Sequence, residues 1–283
     1  MQMTSSFSRK ARSFNAMQPM DNDTLRYYAP SVFATEAHDS RSERFQHIPT
    51  IEVVEGMRKE GFFPFAVAQG GSRIEGKADF TKHLIRFRHE SDIGNAEEAH
   101  EIVLLNAHDG TSAYKLFSGM IRFVCMNGLI SGSNIEAFRV GHTGNAVQKV
   151  IEGSYSVLSN IALVEDSLEA MKAITLSQPE QELFAKAALQ VRYEGEEAPI
   201  TPQQALALRR REDAVPTLWN TFNVVQENLI RGGTAYFAPN TRRFNRTREV
   251  KNLEQNTKVN RALWTLAEGM RGLKERSAEE LVF

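Results

Sequence analysis

The run at residues 112–132, SAYKLFSGMIRFVCMNGLISG, is the least polar long stretch of the chain and holds its only cysteine, Cys125. A run of this kind has to be buried, so whatever element it forms is central to the fold. Asp109-Gly110 ahead of it is a turn signal, and Thr111 or Ser112 can cap a helix. Leu116, Phe117, Met120, Ile121, Val124 and Cys125 recur at the three-and-four spacing of an apolar helical stripe. Asn127-Gly128 supplies a left-handed stop. The spacing predicts a core helix ending on Gly128. A strand reading also exists, because Tyr114, Leu116 and Met120 alternate, but imperfectly. Residues 129–131 and 135–142 return to strand, with Gly132-Ser133-Asn134 as their turn.

The chain before this run reads mainly as strand and the chain after it as helix. Residues 1–48 are polar, with scattered aromatics and no lasting period, and are expected to form a loosely packed arm. Residues 49–60 read as a short helix carrying Ile51, Val54 and Met57 on one side, with Thr50 as its cap and Gly61 as its stop. Phe63, Phe65 and Val67 alternate, and Gly70-Gly71 breaks that strand. In residues 82–90, His83, Ile85, Phe87 and His89 share one face while Leu84, Arg86 and Arg88 share the other, outward face. His100, Ile102, Leu104 and His108 continue the pattern after a polar turn. Beyond the run, residues 144–174 carry a single long apolar stripe, predicting one long helix. Residues 179–191 predict another, with Leu183, Phe184 and Ala187 inward. Thr201-Pro202 opens a helix ending in Arg209, Arg210 and Arg211, and residues 216–231 form a further helix closed by Gly232-Gly233. From Lys251 a last helix packs through Val259, Leu263, Leu266, Met270 and Leu273.

The fold class these elements predict is α+β: a strand-rich N-terminal half with an antiparallel sheet packed against long helices, and a helical C-terminal half. The expected division is an arm over 1–48, a core domain over 49–230, and a basic loop with a C-terminal helix over 231–283. With 283 residues, 41% hydrophobic and 24% charged, the chain has the composition of a soluble globular protein. One cysteine excludes an internal disulfide framework, and the chain has no apolar run of about eighteen residues, as a membrane helix needs. The expectation is a cytoplasmic protein with no membrane partner.

Motifs for catalysis are absent: there is no G-x-x-x-x-G-K-[ST], H-E-x-x-H, G-x-S-x-G or C-x-x-C. No cofactor is therefore expected. Cys125, on its apolar stripe, reads as a buried structural thiol rather than a nucleophile. If the strands around 83–89 and 100–108 pair, His89 falls near His100 and His83 near His108, a set that could seat a metal for hydrolysis. The plainer reading is that these histidines flank an apolar face and hydrogen-bond locally. Arg9, Lys10 and Arg12 read as part of a solvated tail.

The best functional signal is the segment 234–249, TAYFAPNTRRFNRTRE, and the residues just after it. Arg242, Arg243, Arg246, Arg248, Lys251, Lys258 and Arg261 cluster there with Phe244, Phe237 and Tyr236 interleaved, opposed only by Glu249 and Glu254. Guanidinium groups neutralise phosphates and aromatic rings stack on bases. Arg86 and Arg88, on the outward strand face, would extend such a track. The site residues are thus Arg86, Arg88, Arg242, Arg243, Phe244, Arg246, Arg248, Lys251 and Arg261. The competing reading is a solvated loop whose arginines pair with acidic surface.

Three stretches resemble a known family: residues 122–129 (RFVCMNGL), residues 80–88 (FTKHLIRFR) with 101–110 (EIVLLNAHDG), and residues 260–268 (NRALWTLAE). They are similar to the uncharacterised proteins of enterobacterial plasmids and prophages grouped as domain of unknown function 932, and the resemblance covers most of residues 60–275. It implies a mobile-element protein, encoded near genes for plasmid establishment, single-strand handling or evasion of host defence, and it carries over no catalytic residue. The expected function is non-enzymatic binding of single-stranded nucleic acid, DNA rather than RNA, by an oligomer that shields or anneals strands. The alternatives are an anti-defence protein that captures a host protein, and a metal-dependent hydrolase built on His83, His89, His100 and His108.

Overall fold

In the computed structural model of the chain, the residues described are 12–36, 47, 49–72, 74, 76–93, 98–122, 127–130, 138–140, 145–159, 161–194, 196–238 and 242–280. They divide into two compact units: residues up to 130, 134–161 and 251–253 form the first, and 131–133, 162–250 and 254–283 the second. The architecture is α+β, with the sheet in the N-terminal half and helices dominating the C-terminal half. The division lies near residue 161 rather than at 230.

The first unit is built on one antiparallel sheet. Its strands are β1 (Arg12–Asn15), β2 (Phe62–Gln69), β3 (His83–His89), β4 (Glu98–Asn106), β5 (Tyr114–Arg122), β6 (Asn127–Ile130) and β7 (Phe138–Val140). They follow one another in sequence order from β1 to β6. The outer edge of β5 is shared, its N-terminal part pairing with β7 and its C-terminal part with β6. One face carries Val67, Ile85, Phe87, Ile102, Leu104 and Leu116, all essentially removed from water. Helices α1 (Asn22–Tyr28), α2 (Thr50–Lys59) and α3 (Ala146–Ser159) supply Leu25, Val53, Val54, Met57, Val150 and Val157 to the same cluster. Each such side chain contributes about 1.5–3 kcal/mol by burial. The opposite face holds Leu84, Val103, Leu105, Phe117 and Ile130, with Leu253 packed against them.

The run at 112–132 is not a helix, because it provides β5 and β6. Its apolar residues serve both faces of an interior strand, Leu116 and Met120 on one and Phe117 and Ile121 on the other, and such a run mimics a helical stripe. Residues 12–33 are not a loose arm. Phe14 pairs with Val67 through β1, and Leu25, Ala29 and Val32 are wholly buried. Arg9 and Lys10, like Cys125, lie outside the described residues.

The second unit contains most of α4 (Ile161–Ala173), then α5 (Gln178–Arg192), α6 (Pro202–Ala205), α7 (Leu218–Arg231), the hairpin β8 (Ala235–Ala238) and β9 (Arg243–Arg246), and nearly all of α8 (Leu253–Glu280). Of the long helix expected over 144–174, residues 146–159 and 161–173 are helical as α3 and α4, and Asn160 between them lies outside the described residues. A capping box of Ser177 and Glu180 starts α5, and Thr201 with Gln204 makes another for α6. In α5 the buried face is Phe184, Ala185, Ala188 and Leu189, while Leu183, expected inward, is exposed. Helix α7 is buried all round from Thr221 to Ile230, polar residues included: Glu227 accepts from Arg210 Nη2 through both carboxylate oxygens and from Arg231 Nη1, and Asn228 donates to the carbonyls of Ala205 and Ala207. The Arg209-Arg210-Arg211 run is therefore mostly structural, with Arg209 bound to Asn228 and to the carbonyl of Gly232.

Candidate nucleic-acid interface

The hairpin of the second unit is held at its base by backbone hydrogen bonds. Thr217 caps α7 by accepting from the amide of Asn220, and the helix ends at Gly232, whose φ is 65°. A Cβ at Gly232 would lie 2.7 Å from the Thr247 carbonyl oxygen and from the Arg248 carbonyl carbon, so only glycine allows the two segments to come this close. The amide of Gly233 donates to Thr247, the amide of Thr247 donates to Thr234, and the amide of Val250 donates to Ile230. From this base β8 and β9 pair antiparallel, with Phe237 opposite Phe244 and Ala235 opposite Arg246.

The two phenylalanines face water. Phe244 is 80% exposed and Phe237 50%, and their ring centroids lie 5.5 Å apart at 65°. Folding gains little from leaving two aromatic rings in solvent, so the pair is a candidate contact surface. Around it Arg242, Arg243, Arg246 and Arg248 are exposed. Arg242 has a left-handed φ of 51°. Arg246 donates to the carbonyl of Gly233, and among the described residues no carboxylate pairs with Arg242, Arg243 or Arg248. In sequence, Arg242 and Arg243 precede Phe244, and Arg246 and Arg248 follow it.

A cleft of about 460 Å³ opens beside the hairpin in the same unit. Tyr193 and Tyr236 line it together with Arg192, Arg246, Arg248 and Lys258. Lys258 pairs with Glu194, which holds that carboxyl below its ordinary range through the hydrogen bond and the charge. Burial pushes the Tyr193 phenol up, Arg192 opposes this, and Tyr236 adds to it.

Of the residues expected to bind, Arg242, Arg243, Phe244, Arg246 and Arg248 are brought together. Arg261 lies on α8 in the same unit and is half-buried, and Lys251 is exposed but belongs to the first unit. Arg86 and Arg88 correct the expectation. They are 8% and 2% exposed and both bind Glu101 on the neighbouring strand, at 2.7 and 2.9 Å. The Arg88 guanidinium also lies 4.1 Å from the Phe65 ring centroid. Alternation placed them on the face opposite Ile85 and Phe87 correctly, but that face is buried too. Arg192 and Tyr193 carry no mark in the sequence, since they sit about forty residues before the hairpin and no local pattern singles them out.

His83 and His108 form a buried network instead of an open site. Gln69 Nε2 donates to the Ala78 carbonyl, so its Oε1 is the acceptor for the Ser31 amide and hydroxyl. The Ser31 hydroxyl is thereby committed, and His83 Nδ1 must donate to it, as to the Thr81 carbonyl. His83 Nε2 then accepts from Thr50, whose oxygen accepts from Asn106 and from His108 Nε2. Ser31, Thr50, His83, Asn106 and His108 are all completely buried. His89 is apart from them, bound to Ser91 and edge-on to Phe62. Among the described residues, no group of three or more His, Cys, Asp or Glu side chains is arranged to hold a metal ion.

The family model described as Domain of unknown function (DUF932) matches residues 37–264, which include the hairpin and its cleft. The chain belongs to that family. Two relatives from Escherichia coli (strain K12) support the assignment. UPF0380 protein YafZ is 41% identical over 253 residues, covering 89% of this chain and 92% of its own. UPF0380 protein YfjQ is 41% identical over 251 residues, covering 89% and 91%. No solved structure matches the chain. Among the described residues, no helix is long and apolar enough to cross a membrane.

Proposed function

We propose that the protein binds single-stranded nucleic acid through the β8–β9 hairpin. The observation that carries this reading is the exposed Phe237–Phe244 pair set among Arg242, Arg243, Arg246 and Arg248. Every base has a π-face, so rings presented to solvent bind unpaired bases with little regard to sequence, while the guanidinium groups meet the backbone. A base-paired duplex hides those faces, and a hairpin of two four-residue strands bearing phenylalanines offers it less. The mobile-element setting that the family resemblance implies suits a protein that handles exposed strands.

Fluorescence anisotropy with a labelled 20-nucleotide DNA at low salt tests the reading. The native protein should bind, and replacing Phe237 and Phe244 by Ala should weaken binding at least ~10-fold, as one base stack is worth about 1–3 kcal/mol. The Arg242→Ala, Arg243→Ala, Arg246→Ala triple variant should lose a similar amount. Absent binding at low salt, or affinity unmoved by both sets of changes, removes the proposal. In that event the exposed ring pair is better read as a protein contact, the anti-defence alternative.

A further inference from the structure

We infer that the cleft beside the hairpin holds one nucleoside monophosphate unit, base and phosphate together. The inference rests on the nucleic-acid reading of the hairpin and gives it a defined subsite. A cleft of about 460 Å³ lies in the range that small ligands occupy. Its lining is unlike that of a pocket for an apolar molecule. Tyr193, at the exit of α5, and Tyr236, on β8, reach it from separate segments, and both rings are half-buried. Two such rings can sandwich or flank a planar base while their hydroxyls stay wet.

The charges around the rings are unequal in their commitments. Lys258 is paired with Glu194, Arg192 donates to the Leu229 carbonyl and lies 4.9 Å from the Tyr193 ring, and Arg246 donates to the Gly233 carbonyl. Arg248 is the cation lining the cleft with no such partner among the described residues. It follows directly from the hairpin, and Thr247 before it is fixed by backbone bonds to Gly233 and Thr234. A guanidinium on a fixed backbone, lining the same cleft as two tyrosines, suits a phosphate whose base stacks on the rings. Glu194 and Glu196 on the rim leave four cationic side chains against two carboxylates, a balance suited to a mono- or dianion rather than to a polyphosphate.

The same chemistry could arrive as a nucleotide of the strand on the hairpin or as a free nucleotide, and two measurements on the full chain separate these sources. Calorimetry with dCMP, deoxycytidine and inorganic phosphate reads the cleft alone, and anisotropy with the labelled 20-mer reads the hairpin. The expected result is that dCMP binds at least ~10-fold more tightly than either fragment and competes with the 20-mer. Arg248→Ala and Tyr236→Ala should each lower dCMP affinity ~10-fold or more, and Tyr236→Phe should restore most of it. If dCMP binds no better than phosphate, or if neither alanine change weakens it, the inference is overturned. A 20-mer that binds while dCMP does not overturns the cleft and leaves the hairpin reading standing. Binding of dCMP without binding of the 20-mer overturns the hairpin reading and leaves the cleft as a site for free nucleotide.

Discussion

Thr50 shows how much a single side chain can hold in place. Its hydroxyl stands between two histidine rings and the Asn106 amide, with the Tyr114 hydroxyl 3.4 Å away, at a position with no solvent exposure. Its own proton goes to His83 and its lone pairs take His108 and Asn106, so no water can replace it without moving the first turn of α2. Thr50→Val keeps the shape and removes the oxygen. The expected cost is about 3 kcal/mol, because several buried polar groups lose a partner at once, and urea unfolding measures it. Asp109 offers a test by pH. Burial pushes its carboxyl up, but hydrogen bonds from the Thr111 hydroxyl and amide, and from Lys77 with its charge, outweigh this and leave it below its ordinary value of 3.8. A carboxyl whose pKa is depressed on folding contributes stability above that ordinary value and loses it as pH falls through the folded one. The native protein should therefore be more stable than Asp109→Asn at pH 6, with the gap closing below pH 3.8. A gap that persists unchanged at pH 3 would mean that the carboxylate's charge is not what matters there.

Elements were legible in the sequence where side chains of different kinds alternate along a strand or where a cap is explicit. Helix α2, strands β2 to β4 and the Thr201-Pro202 start of α6 all stand within a few residues of where pattern and caps place them. Strand β5 was not legible as a strand, because it lies between β4 and the β6–β7 edge and is apolar on both faces, which erases the two-residue period. The same loss of contrast hid the fate of Arg86 and Arg88. Alternation reports which residues share a face but not whether that face meets water, and Glu101 on the facing strand is the only local hint that it does not. The hairpin was legible as a basic, aromatic stretch, and its cleft was not, since α5, β8 and α8 meet there only through tertiary packing. Gly232, the junction between α7 and the hairpin, tests that packing. Gly232→Ala combines a φ of 65° and ψ of −148° with a Cβ 2.7 Å from backbone atoms and should cost at least about 3 kcal/mol. Gly233→Ala, with φ of 85° and nothing within 4 Å of its Cβ, should cost only about 1–2 kcal/mol. Equal losses in thermal or urea unfolding would show that strain alone, and not the close approach of Thr247 and Arg248, governs the junction.

At the scale of the whole molecule, the charge balance decides what kind of nucleic-acid binding is physically open to the chain. Its formal net charge is −1, so the bulk protein does not attract a polyanion, and any attraction has to be local. Most arginines of the structured units are spoken for: Arg86 and Arg88 by Glu101, Arg210 and Arg231 by Glu227, Arg271 by Glu268 and Glu275. The four arginines of residues 242–248 stand outside these pairs. Counterion release converts that difference into a number. Each phosphate neutralised on a single strand lowers the slope of log affinity against log salt by about 0.7, so four arginine contacts predict a slope of roughly −3. Replacing Arg242, Arg243, Arg246 and Arg248 together by Ala should bring the slope close to zero, while Phe237→Ala with Phe244→Ala should weaken binding at every salt concentration and leave the slope nearly unchanged. The separation follows because rings bind bases without displacing ions, whereas guanidinium groups act on phosphates. A slope that survives loss of all four arginines would place the electrostatic contact elsewhere on the molecule, and would break the link between the hairpin and the strand even if the protein still bound DNA.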